Sequence, residues 1–279
     1  MKKRVTKPPA LSPKVDSAAP GAGAPADPDY MMSLARGLGV IRAFGDGRAE
    51  LSISEVARET GLSRAAARRC LHTLSVLGYA ASANGRFALT PRVLSLGYAY
   101  LGSTPFARVA QPILERVADT LHESSSLAVL DGQEVVYVAR AATRRILSIG
   151  LSVGSRLPAD CTSMGRVLLA YASDAERASY LARVKLVRHT THTIVDKRQL
   201  RAELDRIRAA GYAMVDQELE LGLRSIAVPV RRHDRTVVAA VNVGVHAGRV
   251  EPRTLAREYL PVLQEAALEI GLAIGHAIR

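Results

Sequence analysis

Cysteine and long apolar runs are both scarce in this sequence of 279 residues. The two cysteines, Cys70 and Cys161, provide neither a disulfide framework nor a metal-ligand spacing, which predicts a reducing, cytoplasmic setting and no metal site. Charged residues or glycine interrupt the longest apolar stretches, and no apolar block follows the first lysines, so neither a membrane span nor a signal peptide is expected. A glycine-rich phosphate loop is also missing, and no cofactor is predicted.

Basic residues are in excess, with a formal net charge of +12. Residues 1–100 hold 14 Lys and Arg against 7 Asp and Glu, whereas residues 101–279 hold 24 against 19. The excess is therefore denser in the first hundred residues, as a nucleic-acid partner requires, although an anionic membrane or plain solubility would also suit a basic domain. The length favours two domains and a tail.

Residues 51–79 predict two helices joined by a tight turn. Ser52 and Glu55 form a capping box at the start of the first helix, Gly61 ends it, and Ser63 caps the second. The second helix has an apolar side of Ala67, Cys70, Leu71, Leu74 and Leu77, and a polar side of Arg64, Arg68, His72 and Ser75. A helix of this kind can pack on its own domain and face a phosphate-lined groove, and a solvated helical hairpin is the alternative.

A β-hairpin is predicted directly after these helices. Asn84-Gly85 is a favoured type I′ turn, and residues 86–90 form the return strand that Pro91 closes. A hairpin in this position is the wing of a winged helix-turn-helix, with Arg86 near its tip for phosphate or the minor groove. The predicted DNA-binding residues are Ser63, Arg64, Arg68, Arg69, His72 and Arg86.

The flanking segments complete the first domain. Residues 1–29 lack apolar periodicity and are expected to be a disordered basic tail. Ser33 is predicted to cap a helix from Leu34 to Phe44, with Leu34, Leu38, Ile41 and Phe44 on its buried side. Residues 92–104 form an apolar linker helix that is expected to pack against its copy in a second subunit, or else within its own chain.

The rest of the chain alternates between helix and strand periods. Helices are predicted from about 104 to 123, from the loop 157–165 through Tyr171, from Ser173, over 196–210 and over 252–278. Strands are predicted over 126–130, 134–139, 146–153, 212–215, 225–231 and 236–245. The order indicates an α+β sensor-like domain with a sheet covered by helices.

Several of these segments resemble the IclR family of bacterial transcriptional regulators. The resemblance covers residues 31–279 and is clearest at 61–74 (GLSRAAARRCLHTL), 85–97 (GRFALTPRVLSLG), 157–170 (LPADCTSMGRVLLA) and 211–230 (GYAMVDQELELGLRSIAVPV). It implies a winged helix-turn-helix over 30–91, the linker helix, and a GAF-like effector-binding domain over 105–279. It also implies a homodimer or dimer of dimers on double-stranded operator DNA. Residues 123–132 and 161–166 look like the subgroup that controls protocatechuate, 4-hydroxybenzoate and β-ketoadipate catabolism.

By this resemblance the effector is a small aromatic or dicarboxylic acid. The family's pocket maps onto Cys161, Ser163, Met164, Ser225 and Asn242. A helix N-terminus with hydroxyl and amide groups suits a carboxylate.

Charged residues near this pocket are harder to place from the sequence. Where some relatives have an acidic pocket residue this chain has Val215, and its neighbour Asp216 should face the other side of the strand. Arg140, Arg144 and Arg156 are candidate carboxylate partners by charge alone, and a surface position is favoured for each.

Two short motifs and the domain order also fit other functions. Residues 150–154 fit the G-x-S-x-G pattern of a hydrolase elbow, but Ser152 lies in an alternating segment followed by a loop, so no catalytic residue is predicted. His189 and His192 have a possible metal spacing, for which a polar loop is the preferred interpretation. A sensor whose helix-turn-helix contacts only proteins, and a family member that answers an unrelated carboxylate, remain alternatives.

Overall fold

The computed structural model describes residues 29–45, 48–97, 106–143 and 151–276. The chain divides into a first unit, residues 1–100, and a second unit, residues 101–279. The predicted tail up to residue 28, the later half of the linker helix and most of the strand predicted over 146–153 lie outside the described residues. Within the described ranges, every helix is too short or too polar to cross a bilayer.

The described part of the first unit contains three α-helices of two or more turns and a small antiparallel sheet. The helices are α1 (Met32–Arg42), α2 (Ile53–Thr60) and α3 (Arg64–Val76), and the strands are β1 (Glu50–Ser52), β2 (Ala80–Ala83) and β3 (Arg86–Leu89). The strand order is β1-β3-β2. Apolar residues from all three helices form one core beneath the sheet, centred on Val40, Val56 and Leu71.

Local signals in the sequence set these boundaries. Ser52 and Glu55 form the reciprocal capping box of α2, and Gly61 ends that helix in the left-handed region at φ 67°. Ser63 caps α3 through its side chain. Asn84, with its neighbour Gly85, turns the hairpin with positive φ angles of 51° and 76°. The predicted helix-turn-helix and wing are confirmed at the level of these elements.

The prediction for α1 was wrong in its cap and in part of its buried side. Ser33 lies inside the helix, which begins one residue earlier with Met31 as an N-cap that makes no side-chain bond. Leu34 and Leu38 are 59% and 47% exposed, because the core contacts come from Val40 and the residues that follow it. Strand β1 was not predicted, since three residues are too few to show an alternating pattern. Residues 91–97 form a short 3₁₀ turn and then one helical turn.

Over the residues that the structure describes, the second unit is a six-stranded antiparallel sheet with helices on both faces. Its strands are β4 (Ser125–Asp131), β5 (Glu134–Ala141), β6 (Arg156–Pro158), β7 (Ala213–Asp216), β8 (Leu223–Arg231) and β9 (Val237–His246), in the order β6-β5-β4-β9-β8-β7. Its helices are α4 (Phe106–Leu121), α5 (Ser163–Tyr171), α6 (Asp174–Arg183), α7 (Lys197–Ala210) and α8 (Leu260–His276).

Each face of this sheet has its own apolar core. Helices α4 and α8 pack on one face around Leu114, Val241 and Leu263. Helices α5, α6 and α7 pack on the other around Met164 and Leu204. The alternation of inward and outward residues along the strands divides them between the two cores, as period-2 patterning requires.

Three predictions for this unit need correction. Residues 151–155 are irregular, so the described end of the strand predicted over 146–153 is not a strand. The next three residues form β6, which was predicted as part of a loop. The last helix is interrupted after its first turn, Pro252–Thr254, by a π turn over Leu255–Tyr259. A π turn is a common local bulge within helices and leaves the amphipathic pattern readable.

Candidate functional site

The first unit exposes a row of basic residues along one side of α3. Arg64, Arg68 and His72 follow one another at four-residue spacing and are exposed, with Arg69 beside them. The opposite side is buried through Ala67, Leu71 and Leu74, although Leu77, predicted to share it, is half-exposed. The helix therefore presents a basic stripe to solvent and keeps its apolar stripe in the core.

Some basic residues of the unit outside α3 are paired with carboxylates. Arg48 pairs with Glu59 at 2.6 Å. Within the described residues, no carboxylate lies within ion-pair distance of Arg64, Arg68 or Arg69, so their charge remains available to an external anion. A field of unpaired cations on a helix of this motif suits a phosphate-lined groove.

Arg86 is placed differently from the other predicted DNA-binding residues. Its guanidinium donates to the carbonyl oxygen of Glu50 at 2.9 Å and lies 3.3 Å from the carboxylate of Glu55. The arginine thus links the wing to β1 and to the cap of α2. To contact a phosphate, its side chain would have to leave these partners.

A cavity of about 680 Å³ lies in the second unit, between the sheet and the start of α5. Its floor is formed by the strands on the face that carries α5, through Tyr137, Arg140, Ser225 and Asn242. Its apolar lining is Leu151, Leu157, Val215, Leu219, Leu221, Leu223 and Val245. A volume of this size and a mostly apolar wall with a few polar groups are typical of a small-molecule site.

The roof of the cavity is the N-terminus of α5. Thr162 is the N-cap residue but donates its hydroxyl to the Pro158 carbonyl at 2.8 Å and caps nothing. The first amides of the helix have no intrahelical acceptor, and they carry the positive end of the helix dipole. The first turn of α5 lies directly against the backbone of Ala159. Gly165 makes this close contact possible, because a Cβ at that position would overlap the Ala159 backbone.

A β-bulge shapes the floor. The register of β4 against β5 pairs Leu127 with Ala139 and Ala128 with Tyr137, so one residue of β5 between them is left over. Tyr137 and Arg140 are three apart and would face opposite sides of a regular strand, but the bulge brings both into the cavity. Burial raises the pKa of Tyr137 to about 12, so its hydroxyl stays protonated and can donate a hydrogen bond.

Two polar groups of the wall are buried without a partner. Among the described residues, the Oγ of Ser163 and the Nε of Arg140 are buried at the cavity and make no hydrogen bond. The other end of Arg140 donates to Ser126 Oγ at 2.9 Å, and burial lowers the pKa of its guanidinium. An unmatched hydroxyl and an incompletely paired cation in one cavity indicate an anionic ligand.

The structure places the predicted pocket residues as follows. Cys161, Ser163, Ser225 and Asn242 all line the cavity. Met164 does not line it and packs in the core behind, because successive residues of a helix point about 100° apart. Burial raises the pKa of the Cys161 thiol, which keeps it protonated as a neutral wall group.

The charged residues considered as pocket candidates differ in whether they face the cavity. Val215 lines the cavity, whereas Asp216 faces the other side and pairs with Arg224 at 2.8 Å. Arg156 is a surface residue that pairs with Asp131 and Glu134. The surface position favoured for Arg140 was wrong, because the bulge in β5 turns this side chain into the cavity. Arg144 lies outside the described residues.

A buried ion pair holds the wall against the roof. Arg166 on α5 donates from both terminal nitrogens to the two carboxylate oxygens of Glu218, at 2.6 Å each, and from Nε to the Asp160 carbonyl. Glu218 immediately precedes the wall residues 219–223. The pair therefore fixes the distance between the α5 N-terminus and that wall. It was not predictable from local patterns in the sequence, because the partners are 52 residues apart.

The structure does not support the hydrolase pattern at residues 150–154 or the possible metal spacing of His189 and His192. Ser152 lies in an irregular segment before β6 and not at a strand-turn-helix elbow. The described part of the chain contains no cluster of three metal-ligating side chains. Thr190 and Thr193, between and beside the two histidines, form the hydrogen bonds of a polar turn.

Comparisons with known proteins cover both units. Residues 33–82 match the IclR helix-turn-helix domain, and residues 98–272 match the family described as Bacterial transcriptional regulator IclR C-terminal. The Pca regulon regulatory protein of Pseudomonas putida is 50% identical over 88% of this chain and 84% of its own length. The p-hydroxybenzoate hydroxylase transcriptional activator of Acinetobacter baylyi is 38% identical over 87% and 91%.

A solved structure is similar over the same range. It is an IclR homolog from Microbacterium hydrocarbonoxydans complexed with 4-hydroxybenzoate, with 28% identity and a TM-score of 0.76 over 88% of this chain and 99% of that one. The relatives are regulators and not enzymes.

Proposed function

The chain belongs to the IclR family of bacterial transcriptional regulators, and from that premise we propose that a small organic acid of aromatic catabolism controls its binding to operator DNA. The observation that carries the proposal is the cavity in which, among the described residues, the Ser163 Oγ and the Arg140 Nε are buried without a hydrogen-bond partner beneath an uncapped helix. Cytoplasmic location and a homodimer or dimer of dimers, suited to a two-fold symmetric operator, are part of the proposal.

The DNA contact is assigned to the exposed stripe of α3, with the wing beside it. Arg64, Arg68, Arg69 and His72 face the major groove, and Ser63 fixes the start of the helix and can contact a phosphate. Arg86 supports the wing from within the unit and contacts DNA only on leaving Glu50 and Glu55.

Replacing Arg68 with alanine is expected to weaken operator binding by about 1–3 kcal/mol, because Arg68 is at the centre of the stripe and can read a guanine edge. The loss should be larger on an operator selected from a randomised duplex library than on random DNA. Fluorescence anisotropy with both duplexes measures this. Arg235→Ala, which removes an exposed arginine from the second unit, is the matched control. Equal weakening on both duplexes would show a phosphate contact and overturn the base-reading role.

The cavity supports a ligand with a carboxylate and a second polar group. The helix N-terminus with Ser163 forms one polar region, and Arg140 with Tyr137 forms another, while leucine and valine side chains cover the remaining wall. A hydroxybenzoate or a dicarboxylate has polar groups for both regions. The p-hydroxybenzoate hydroxylase activator and the 4-hydroxybenzoate complex among the similar proteins favour the same class.

The test is the thermal stability of the full chain against protocatechuate, 4-hydroxybenzoate and β-ketoadipate. A ligand that binds the folded state alone should stabilise it by about 2.7 kcal/mol at a hundred times its Kd. Benzene and ethanolamine are controls that lack the carboxylate. Stabilisation by one of the acids and not by the controls supports the proposal. If none of the three acids acts while another small carboxylate does, the aromatic-acid assignment fails and the family alternative replaces it.

A further inference from the structure

The charge of the second unit is concentrated in one segment. Residues 183–201, here called the basic segment, contain six Lys and Arg and a single Asp. Their net charge of +5 equals the net charge of residues 101–279, so the remainder of that sequence is balanced. The segment comprises the end of α6, the connection to α7 and the first turn of α7.

The six cations are exposed, and their partners are few. They are Arg183, Lys185, Arg188, Lys197, Arg198 and Arg201. In the described ranges, none of them lies within ion-pair distance of a carboxylate. The arginines on the rest of α6 and α7 behave differently, because Arg177 pairs with Asp205 and Arg206 with Glu203. The basic segment therefore presents unneutralised charge beside a surface that is otherwise paired.

The basic segment is also held in a defined shape. Lys197 Nζ donates to the Ala182 carbonyl at 3.1 Å, which brings the first turn of α7 to the end of α6. Thr190 Oγ1 donates to the Gln217 carbonyl at 2.6 Å, and Thr193 Oγ1 to the Glu218 carbonyl at 2.7 Å. Fixed backbone positions lower the conformational entropy that is given up when the cations bind an anion.

The residue types of the basic segment favour a polyanionic partner over a protein partner. Protein interfaces depend on buried aromatic and apolar anchors and are depleted in lysine, but residues 183–201 contain no Phe, Trp or Tyr. Val187 and Val195 are its exposed large apolar side chains and are eight positions apart. Unpaired cations at several positions instead match a repeating row of phosphates.

We propose that the basic segment is a second DNA-contacting surface, which binds the phosphate backbone without reading sequence. It adds to the α3 stripe a set of contacts that lies on the second unit. Such contacts increase affinity for any duplex and make that affinity steeply dependent on salt, since each neutralised phosphate releases counterions.

The experiment measures binding of the full chain to a random-sequence DNA duplex over a series of salt concentrations. The test variant combines Arg188→Gln, Arg198→Gln and Arg201→Gln. If these side chains bind phosphates, the slope of log affinity against log salt should decrease by roughly 2–3, at about 0.9 for each phosphate that the variant no longer neutralises. Circular dichroism and melting temperature, unchanged from the wild type, would show that the variant is folded.

The matched control removes the same charge elsewhere in the second unit, by Arg235→Gln, Arg253→Gln and Arg257→Gln, which are also exposed. A slope reduced in the test variant and unchanged in the control supports the proposal. Equal reduction in both would show an effect of total charge and overturn it. If the salt dependence of DNA binding in the test variant equals that of the wild type, the proposal is also overturned. In that case, a loss of binding to anionic phospholipid vesicles or to an acidic protein would assign the basic segment to that partner instead. Because Arg68→Ala tests α3 separately, failure of this surface is distinguishable from failure of the proposed function.

Discussion

Replacing Glu218 with alanine is expected to lower the free energy of unfolding of the second unit by about 3–5 kcal/mol, because the change leaves the guanidinium of Arg166 buried without its carboxylate. Both side chains are buried, and Arg166 is among the largest fully buried side chains of the chain. Glu218 also accepts a hydrogen bond from the Ile194 amide at 3.0 Å, which would disappear together with the pair. Thermal unfolding should show a decrease of at least roughly 6 °C in melting temperature.

Two variants separate the burial of a charge from the loss of any ion pair. Glu203→Ala removes the partner of the exposed Arg206 on α7 and should change stability by less than about 1 kcal/mol. The double variant Arg166→Met, Glu218→Leu removes both buried charges and should recover much of the stability, since apolar residues of similar volume can replace a buried pair. If Glu218→Ala melts at the same temperature as the wild type, the buried Arg166–Glu218 pair does not stabilise the second unit.

The ion pair matters for the cavity as well as for stability. Glu218 is followed directly by Leu219, which lines the cavity, and Arg166 is three positions beyond Ser163 on the same helix. A loosened pair would let the wall and the roof move apart. Variants of Glu218 that still fold should therefore bind the effector more weakly although neither partner lines the cavity.

Much of the fold was predictable because its signals are local. The capping box at Ser52, the left-handed Gly61 and the Asn84-Gly85 turn each act over a few neighbouring residues, so the sequence alone locates the helix-turn-helix and the wing. The opposite orientations of Val215 and Asp216 were predictable for a similar reason, since successive side chains of a regular strand point to opposite sides of the sheet. These features depend on spacing along the chain and not on what packs against it.

The features that escaped prediction depend on distant contacts. Which side of α1 is buried is decided by the position of α2 and α3, and Leu34 and Leu38 are exposed despite a suitable period. Met164 shares a motif with Ser163 but not its direction. The bulge in β5 exists only through its register with β4, so a regular strand period could not place Tyr137 and Arg140 on one side.

Replacing Arg140 with methionine is expected to remove most of the effector affinity while leaving the free protein as stable as the wild type, or more so. The guanidinium is partly desolvated, and its Nε has no partner among the residues that the structure describes, so its burial is unfavourable until an anion binds. Loss of a buried charged partner should weaken binding by about 2–5 kcal/mol, roughly thirtyfold or more in Kd. Calorimetric titration with the acid that stabilises the wild type measures the Kd, and the melting temperature of the free variant measures the stability.

Arg156→Gln is the matched control, because Arg156 is an arginine of the adjacent strand whose charge is already paired at the surface with Asp131 and Glu134. It should bind the acid as the wild type does. The combination of unchanged stability and reduced affinity is specific to a residue that serves the ligand, since a structural arginine would lower both together. If Arg140→Met binds the acid with wild-type affinity, the carboxylate is held by the α5 N-terminus and Ser163 alone, and the inward turn that the bulge gives Arg140 has no role in recognition.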